Sequence, residues 1–118
     1  MVSDNQPLPL NQRHDPSLTS LKTKVSGTRS GYLYSGLVNQ IQKIDGGADF
    51  SAVEIARASA PDAPFIINSE DDNERLVWSP TEIQNKEVAL VATLRETQEN
   101  RMTIGDFQAV ATFEFIYE

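Results

Sequence analysis

The strongest pattern in the chain is an alternation of apolar and polar residues near its C-terminus. From Gly105 to Glu118, one face of an extended segment would carry only apolar side chains, whereas the other face is mixed. The apolar face consists of Phe107, Ala109, Ala111, Phe113, Phe115 and Tyr117. Such regular alternation predicts a β-strand that belongs to a sheet and whose aromatic face must be covered.

Three earlier segments carry the same kind of pattern. Residues 18–25 place Leu21, Thr23 and Val25 on one side, and residues 50–58 alternate apolar with charged positions. Residues 87–95 alternate over a longer stretch, and we expect this strand to be the antiparallel neighbour of the terminal one.

Two stretches between these strands have other patterns. Residues 32–44 place Leu33, Leu37, Ile41 and Ile44 at helical spacing before a pair of glycines, which favours a short helix near 32–45 over a weaker strand alternative. Residues 65–67 and 75–78 flank a polar segment, which predicts a hairpin with a solvated turn.

Turn signals at roughly ten-residue spacing predict an all-β fold, an immunoglobulin-like β-sandwich. The chain has 118 residues, which suits one domain. Prolines and polar residues make 1–17 an N-terminal arm, which we expect to be flexible, and the β-sandwich domain takes 18–118.

The distribution of charge along the chain bears on the class of partner. Formal net charge is −7, with +3 over residues 1–44 and −10 over residues 45–118. A nucleic-acid partner is not expected, because phosphate binding needs clustered lysine or arginine. No apolar run reaches the ~20 residues of a membrane-spanning helix, and the start of the chain lacks the pattern of a signal peptide.

Candidate chemistry is sparse. The single histidine, His14, lies in the arm, and the chain has no cysteine, no glycine-rich phosphate loop and no nucleophile elbow. Residues 70–74 are acidic but lack the spaced ligands of a calcium loop, and Trp78 is expected in the core. We therefore expect neither an enzyme nor a metal site nor a cofactor.

Two details give the terminal strand a functional interpretation. Tyr117 is the penultimate residue and Gly105 is the fourteenth from the end, with alternating apolar residues between them. This arrangement resembles the C-terminal signature of chaperone–usher pilus subunits, and the strand around Val88 to Leu94 also resembles the penultimate strand of those pilins. The absence of cysteine places the chain with the cysteine-free members.

The resemblance implies an immunoglobulin-like fold that is incomplete and is completed by a donor strand. A periplasmic chaperone, an usher and neighbouring pilus subunits would be the partners, and the protein would pass through the periplasm to the cell-surface fimbria. The groove residues carried over are Gly105, Ala109, Ala111, Phe113, Phe115, Tyr117 and Glu118, of which Gly105 would allow a close turn into the strand. Val2, Leu8 and Leu10 are the candidates for the chain's own donor strand.

Two other interpretations stay open. A phage or virion β-sandwich protein would use its terminal strand simply to close its own sheet. A carbohydrate-binding β-module would instead use Trp78 and the tyrosines as its ligand surface.

Overall fold

Residues 20–117 are described by a computed structural model, in which β-strands dominate. The strands are β1 (Leu21–Gly27), β2 (Gly36–Val38), β3 (Ser51–Arg57), β4 (Leu76–Val77), β5 (Leu90–Glu96) and β6 (Ala111–Tyr117). One short α-helix, α1, spans Pro80–Asn85, and a single 3-10 turn spans Lys43–Asp45. The predicted all-β fold is confirmed, whereas the immunoglobulin-like topology stays a prediction.

The strands form two antiparallel sheets of three strands each. Their orders are β4-β1-β6 and β2-β3-β5. Both sheets contribute to one core, which consists of Val25, Leu37, Ile55, Phe65, Ile67 and Leu76. Shared burial of these side chains shows that the sheets pack face to face.

Backbone hydrogen bonds outside the paired strands join the two sheets. Beyond β1 the chain pairs with β2, where Ser30 N–H donates to Gly36 O at 2.8 Å and Val38 N–H donates to Thr28 O at 2.9 Å. Asn68 N–H also donates to Val25 O at 2.7 Å. The isolated bonds of Ser30 and Val38 link the segment after β1 to β2, and among residues 20–117 no ladder joins β5 to β6.

The predicted pairing of the last two strands is therefore wrong. β5 pairs with β3 from Arg57↔Leu90 to Ser51↔Glu96, and β6 pairs with β1 along its whole length. The two strands are edges of different sheets. Alternation determines which residues share a face, but it carries no information on which strand lies alongside.

The helix expected near 32–45 is also absent. Residues 36–38 form β2, and Gly46, with a φ of 93°, ends the 3-10 turn at Lys43–Asp45. Of the supposed apolar stripe, Leu37 is buried but Ile44 is 89% exposed, so no helical face meets the core.

The hairpin expected around residues 68–74 is replaced by a different path. Ile66 N–H does reach Glu74 O, but Phe65 N–H donates to Ile55 O and Ile67 N–H to Tyr34 O. Residues 65–67 thus extend the core between the sheets, and β4 pairs with β1 instead.

α1 was not predicted from the sequence. Ser79 caps it, with its hydroxyl accepting from Glu82 N–H while the Glu82 carboxylate accepts from Ser79 N–H, and Pro80 takes the first helical position. Serine followed three residues later by glutamate is a capping-box signal. That signal was present in the sequence.

Candidate functional site

The terminal strand β6 presents its apolar face inward but leaves it largely uncovered. Phe113 is paired with Val25, Phe115 with Thr23 and Tyr117 with Leu21. Directly paired residues share one face of an antiparallel sheet. The three β1 residues are buried, yet Phe113 is 38%, Phe115 52% and Tyr117 66% exposed.

Strand β5 shows the same mismatch on the opposite sheet. Ala92 is paired with the core residue Ile55, and Leu94 is paired with Val53, which packs against the core. Nevertheless, Leu94 is 49% exposed. Among residues 20–117, no further layer of side chains fully covers the inner face of this strand.

Together these surfaces form what we call the open cleft. It is defined by the inner-face residues Leu90, Ala92 and Leu94 of β5 and Ala111, Phe113, Phe115 and Tyr117 of β6. Each side ends in a seven-residue edge strand, whose alternate N–H and C=O groups point away from its own sheet. An apolar interior beside two free strand edges is suited to taking up extended peptide.

The inner end of the open cleft is anchored by Trp78. Its Nε1–H donates to Thr23 Oγ1 at 2.8 Å, and its ring lies 6.4 Å from the Phe115 ring, centroid to centroid. Trp78 packs against the core. It therefore supports the aromatic row of β6.

Polar contacts fix both strands in place from outside the cleft. The Ser26 hydroxyl of β1 donates to the Glu114 carboxylate of β6 at 2.5 Å. On the other sheet, buried Glu54 of β3 accepts from the Ser35 hydroxyl and from Arg95 Nε of β5, the latter at 2.9 Å. These bonds hold β5 and β6 to their neighbouring strands, and among residues 20–117 no strand pairs with the outer edge of either.

Gly105 lies before β6 and has a role in packing. A Cβ atom there would lie 2.7 Å from Ala48 N, 2.7 Å from Gly46 O and 2.8 Å from Gly47 C. Asp106 pairs with this segment, its N–H donating to Gly46 O at 2.9 Å. The glycine is thus required by close approach of two backbones, and its φ does not fall in the left-handed region.

The remaining predicted groove residues divide into two groups. Ala109 and Ala111 are partly buried against the core, next to the exposed aromatics. Glu118 and the arm residues Val2, Leu8, Leu10 and His14 lie outside the described residues. Sequence reasoning missed Leu90, Ala92 and Leu94 as cleft residues, although their alternation was visible.

The acidic loop at 70–74 is occupied by internal ion pairs. Lys24 Nζ lies 2.9 Å from the Glu70 carboxylate, and Asp72 lies 2.9 Å from both Lys22 and Arg75. The hydrogen bonds from Lys22 and then Arg75 lower the pKa of Asp72. No acidic or histidine cluster suited to a metal ion occurs within residues 20–117.

A separate surface depression of about 430 Å³ lies near the loop before β3. Its lining includes Tyr32 and Phe50, whose ring centroids are 6.5 Å apart, and Lys43 and Asp49, whose charged atoms are 4.0 Å apart. Trp78 is not among its lining residues. The aromatic ligand surface considered from the sequence is therefore not assembled here.

Within the described range, no helix is both long and apolar enough to cross a membrane. The chain matches no protein-family model and no curated protein. The open cleft is therefore the feature on which a functional argument rests.

Proposed function

We propose that this protein is a structural subunit of a chaperone–usher pilus, which assembles by taking up an extended strand from another chain along β6. The observation that carries the proposal is the exposed aromatic row on the inner face of an edge strand. Aromatic residues on the inner face of a strand are normally buried in the core of the protein. An edge strand with an exposed apolar face must be paired to avoid aggregation.

Burial of the apolar inner face of β6 by an added strand would stabilise the complex. Full burial of a phenylalanine is worth about 1.5–3 kcal/mol, so covering the exposed halves of Phe113 and Phe115 is worth roughly 1 kcal/mol each. Each backbone hydrogen bond to the free edge adds about 0.5–1.5 kcal/mol net. Several such terms together support stable uptake of one strand.

The proposal assigns a non-catalytic role to the groove residues. A periplasmic chaperone would first lend a strand, and a neighbouring pilus subunit would then replace it at the usher and at the cell surface. Ala111, Phe113, Phe115 and Tyr117 would face the inserted strand, and the carboxylate of Glu118 would be the group a basic chaperone cleft holds.

The test is co-purification with a periplasmic pilus chaperone. Phe115→Asp places a charge on the inner face of β6, and Thr112→Asp places the same charge on the outer face of the same strand as a matched control. Because only the inner face would meet the donor strand, we expect Phe115→Asp to abolish the complex and Thr112→Asp to retain it.

Deletion of residues 113–118 should give the same loss as Phe115→Asp. Complexes formed equally well by the wild type, by Phe115→Asp and by the deletion would refute strand uptake along β6. A monomer of the wild type that stays soluble and binds no chaperone would instead favour a strand that simply closes its own sheet.

A further inference from the structure

The backbone groups at the free edge of β6 belong to the residues whose side chains form its apolar face. Val25 O accepts from Asn68 N–H at 2.7 Å, so the backbone groups of Val25 point away from β6. Val25 is paired with Phe113, and two paired residues of an antiparallel ladder point their backbone groups either toward each other or both away. The N–H and C=O groups of Phe113 therefore point to the free edge, and the alternation along a strand extends this to Phe115 and Tyr117.

Glu114 lies between two of these residues, on the outer face of the same strand. It is paired with Lys24, and its backbone groups point toward β1. A strand that adds antiparallel to β6 would therefore meet Glu114 at a non-hydrogen-bonded position, where opposed Cα atoms are about 4.5 Å apart and side chains come closest. The residue opposite Glu114 is thus placed to contact its side chain.

The charge of Glu114 has no cationic partner among residues 20–117. None of the ion pairs within this range involves its carboxylate. Lys24, the residue opposite it on β1, has its ammonium group 2.9 Å from the Glu70 carboxylate. The Ser26 hydroxyl donates to Glu114 at 2.5 Å, which orients the carboxylate but leaves its charge in place. A chain of formal net charge −7 therefore presents an unpaired anion beside the free edge of β6.

The two faces of β6 together define a short sequence pattern for an added strand. A strand that extends a sheet keeps its side chains on the two faces of that sheet, in alternation. The residue opposite Glu114 would lie on the outer face, and its two neighbours would lie on the inner face, opposite Phe113 and Phe115. This pattern is symmetric about its centre, so it holds whether the added strand runs parallel or antiparallel to β6.

We propose that the partner of β6 is a strand with a lysine or arginine between two apolar residues, whose cation pairs with Glu114 on the outer face while the apolar neighbours cover Phe113 and Phe115. This inference rests on the proposed uptake of a strand along β6. Because the Glu114 carboxylate leans toward β1, only a long basic side chain reaches it. A strand shifted by two residues would keep its faces but place the cation opposite Thr112 or Ile116, so the ion pair distinguishes between these registers.

Two synthetic peptides test this pattern on the full chain. They share one alternating sequence of valine and threonine and differ only at the central threonine position, which is lysine in one and glutamate in the other. Binding is measured by the fluorescence anisotropy of the labelled peptide. We expect the lysine peptide to bind at least about threefold more tightly, because opposite charges across a strand pair stabilise it and like charges destabilise it. The difference should shrink as salt is added.

Variants of Glu114 separate its effect from that of the overall acidic charge. Glu114→Gln keeps an oxygen for the Ser26 hydroxyl but removes the charge, so it should bind both peptides about equally. Glu114→Lys should reverse the preference. Glu99→Gln removes one carboxylate from the loop after β5 and is the matched control, which should keep the preference of the wild type. A preference for the lysine peptide that persists unchanged in Glu114→Gln would overturn the proposal.

Failure of this proposal is separable from failure of the pilus proposal. If the wild type binds both peptides equally and Phe115→Asp binds neither, strand uptake along β6 stands and the role of Glu114 is refuted. Binding of neither peptide by the wild type would also overturn this proposal, and the chaperone complex then decides the pilus proposal separately. A dimer of the full chain that neither peptide dissociates would assign the edge to a second copy and overturn the proposal as well.

Discussion

Replacement of Gly105 by alanine should disrupt the segment that leads into β6. The three nearest atoms to the added Cβ would be backbone atoms of residues 46–48 at 2.7–2.8 Å, closer than a Cβ atom normally approaches any heavy atom. Backbone cannot turn aside as a side chain can. The segment must therefore move as a whole. This movement strains or breaks two hydrogen bonds, from Asp106 N–H to Gly46 O (2.9 Å) and from Ala48 N–H to Asp106 O (2.8 Å).

The expected loss of stability follows from two terms. Overpacking in a well-packed region costs about 1–3 kcal/mol. Weakening of two backbone hydrogen bonds adds about 0.5–1.5 kcal/mol each. We expect a decrease of about 2–4 kcal/mol in the free energy of unfolding, measured as a lower midpoint of urea denaturation at constant slope.

Gly31→Ala is the matched control for this prediction. A Cβ at Gly31 would have no atom within 4 Å, so the substitution should change the free energy of unfolding by less than about 0.5 kcal/mol. A Gly105→Ala variant as stable as Gly31→Ala would refute the packing role.

Two further substitutions test contacts near the cleft. Trp78→Phe removes the indole N–H that donates to the buried Thr23 hydroxyl at 2.8 Å and should lower the free energy of unfolding by about 1–3 kcal/mol. The double variant Trp78→Phe, Thr23→Val should lose less stability in urea denaturation than the sum of the two single variants. Losses that simply add would contradict the hydrogen bond. At Glu82, burial opposes the charged form, but the bonds from Ser79 N–H and the Arg57 guanidinium outweigh it and lower the pKa below 4.5. Its stabilising contribution is therefore complete above about pH 4.5 and is lost as pH falls through the lowered folded pKa. Glu82→Gln should flatten the decline in stability below about pH 4.5, and an unchanged acid profile would exclude this carboxylate.

Local patterning was enough to predict much of the fold. The period-two spacing of Leu21, Thr23 and Val25 gave β1, because a strand with one buried face must alternate. Val53 and Ile55 gave β3, although residues on both faces of that strand are buried. The same reasoning located β5 to within three residues and the C-terminal end of β6, although β6 begins six residues later than predicted.

The failures share one physical cause, which is contact between residues distant in sequence. A Cβ atom at Gly36 would lie only 2.7 Å from Ala52 Cβ, so the close approach of β2 to β3 overrides the helical spacing of its neighbours. Phe65 and Ile67 likewise find partners at Ile55 O and Tyr34 O. No local pattern encodes these pairings.

For the same reason, only the β6 side of the open cleft was predicted from the sequence. Alternation identified Phe113, Phe115 and Tyr117 as one face of β6, but identical alternation in β5 suggested that the two strands were antiparallel neighbours. They lie on different sheets instead, so among residues 20–117 each strand has one edge without a paired strand.

Exposure along β6 indicates where an added strand would be held most strongly. The exposed fraction rises from Phe113 to Phe115 to Tyr117, whereas Ala111 is already packed against the core. Because the free energy of burial follows the apolar area removed from water, each position covered toward Tyr117 contributes more than the one before it. The backbone hydrogen bonds are spread along the whole edge, so register must be set chiefly by the aromatic end. A strand shifted by one residue would direct its polar side chains against Phe115 and Tyr117, which gives the cleft a means of selecting its partner strand.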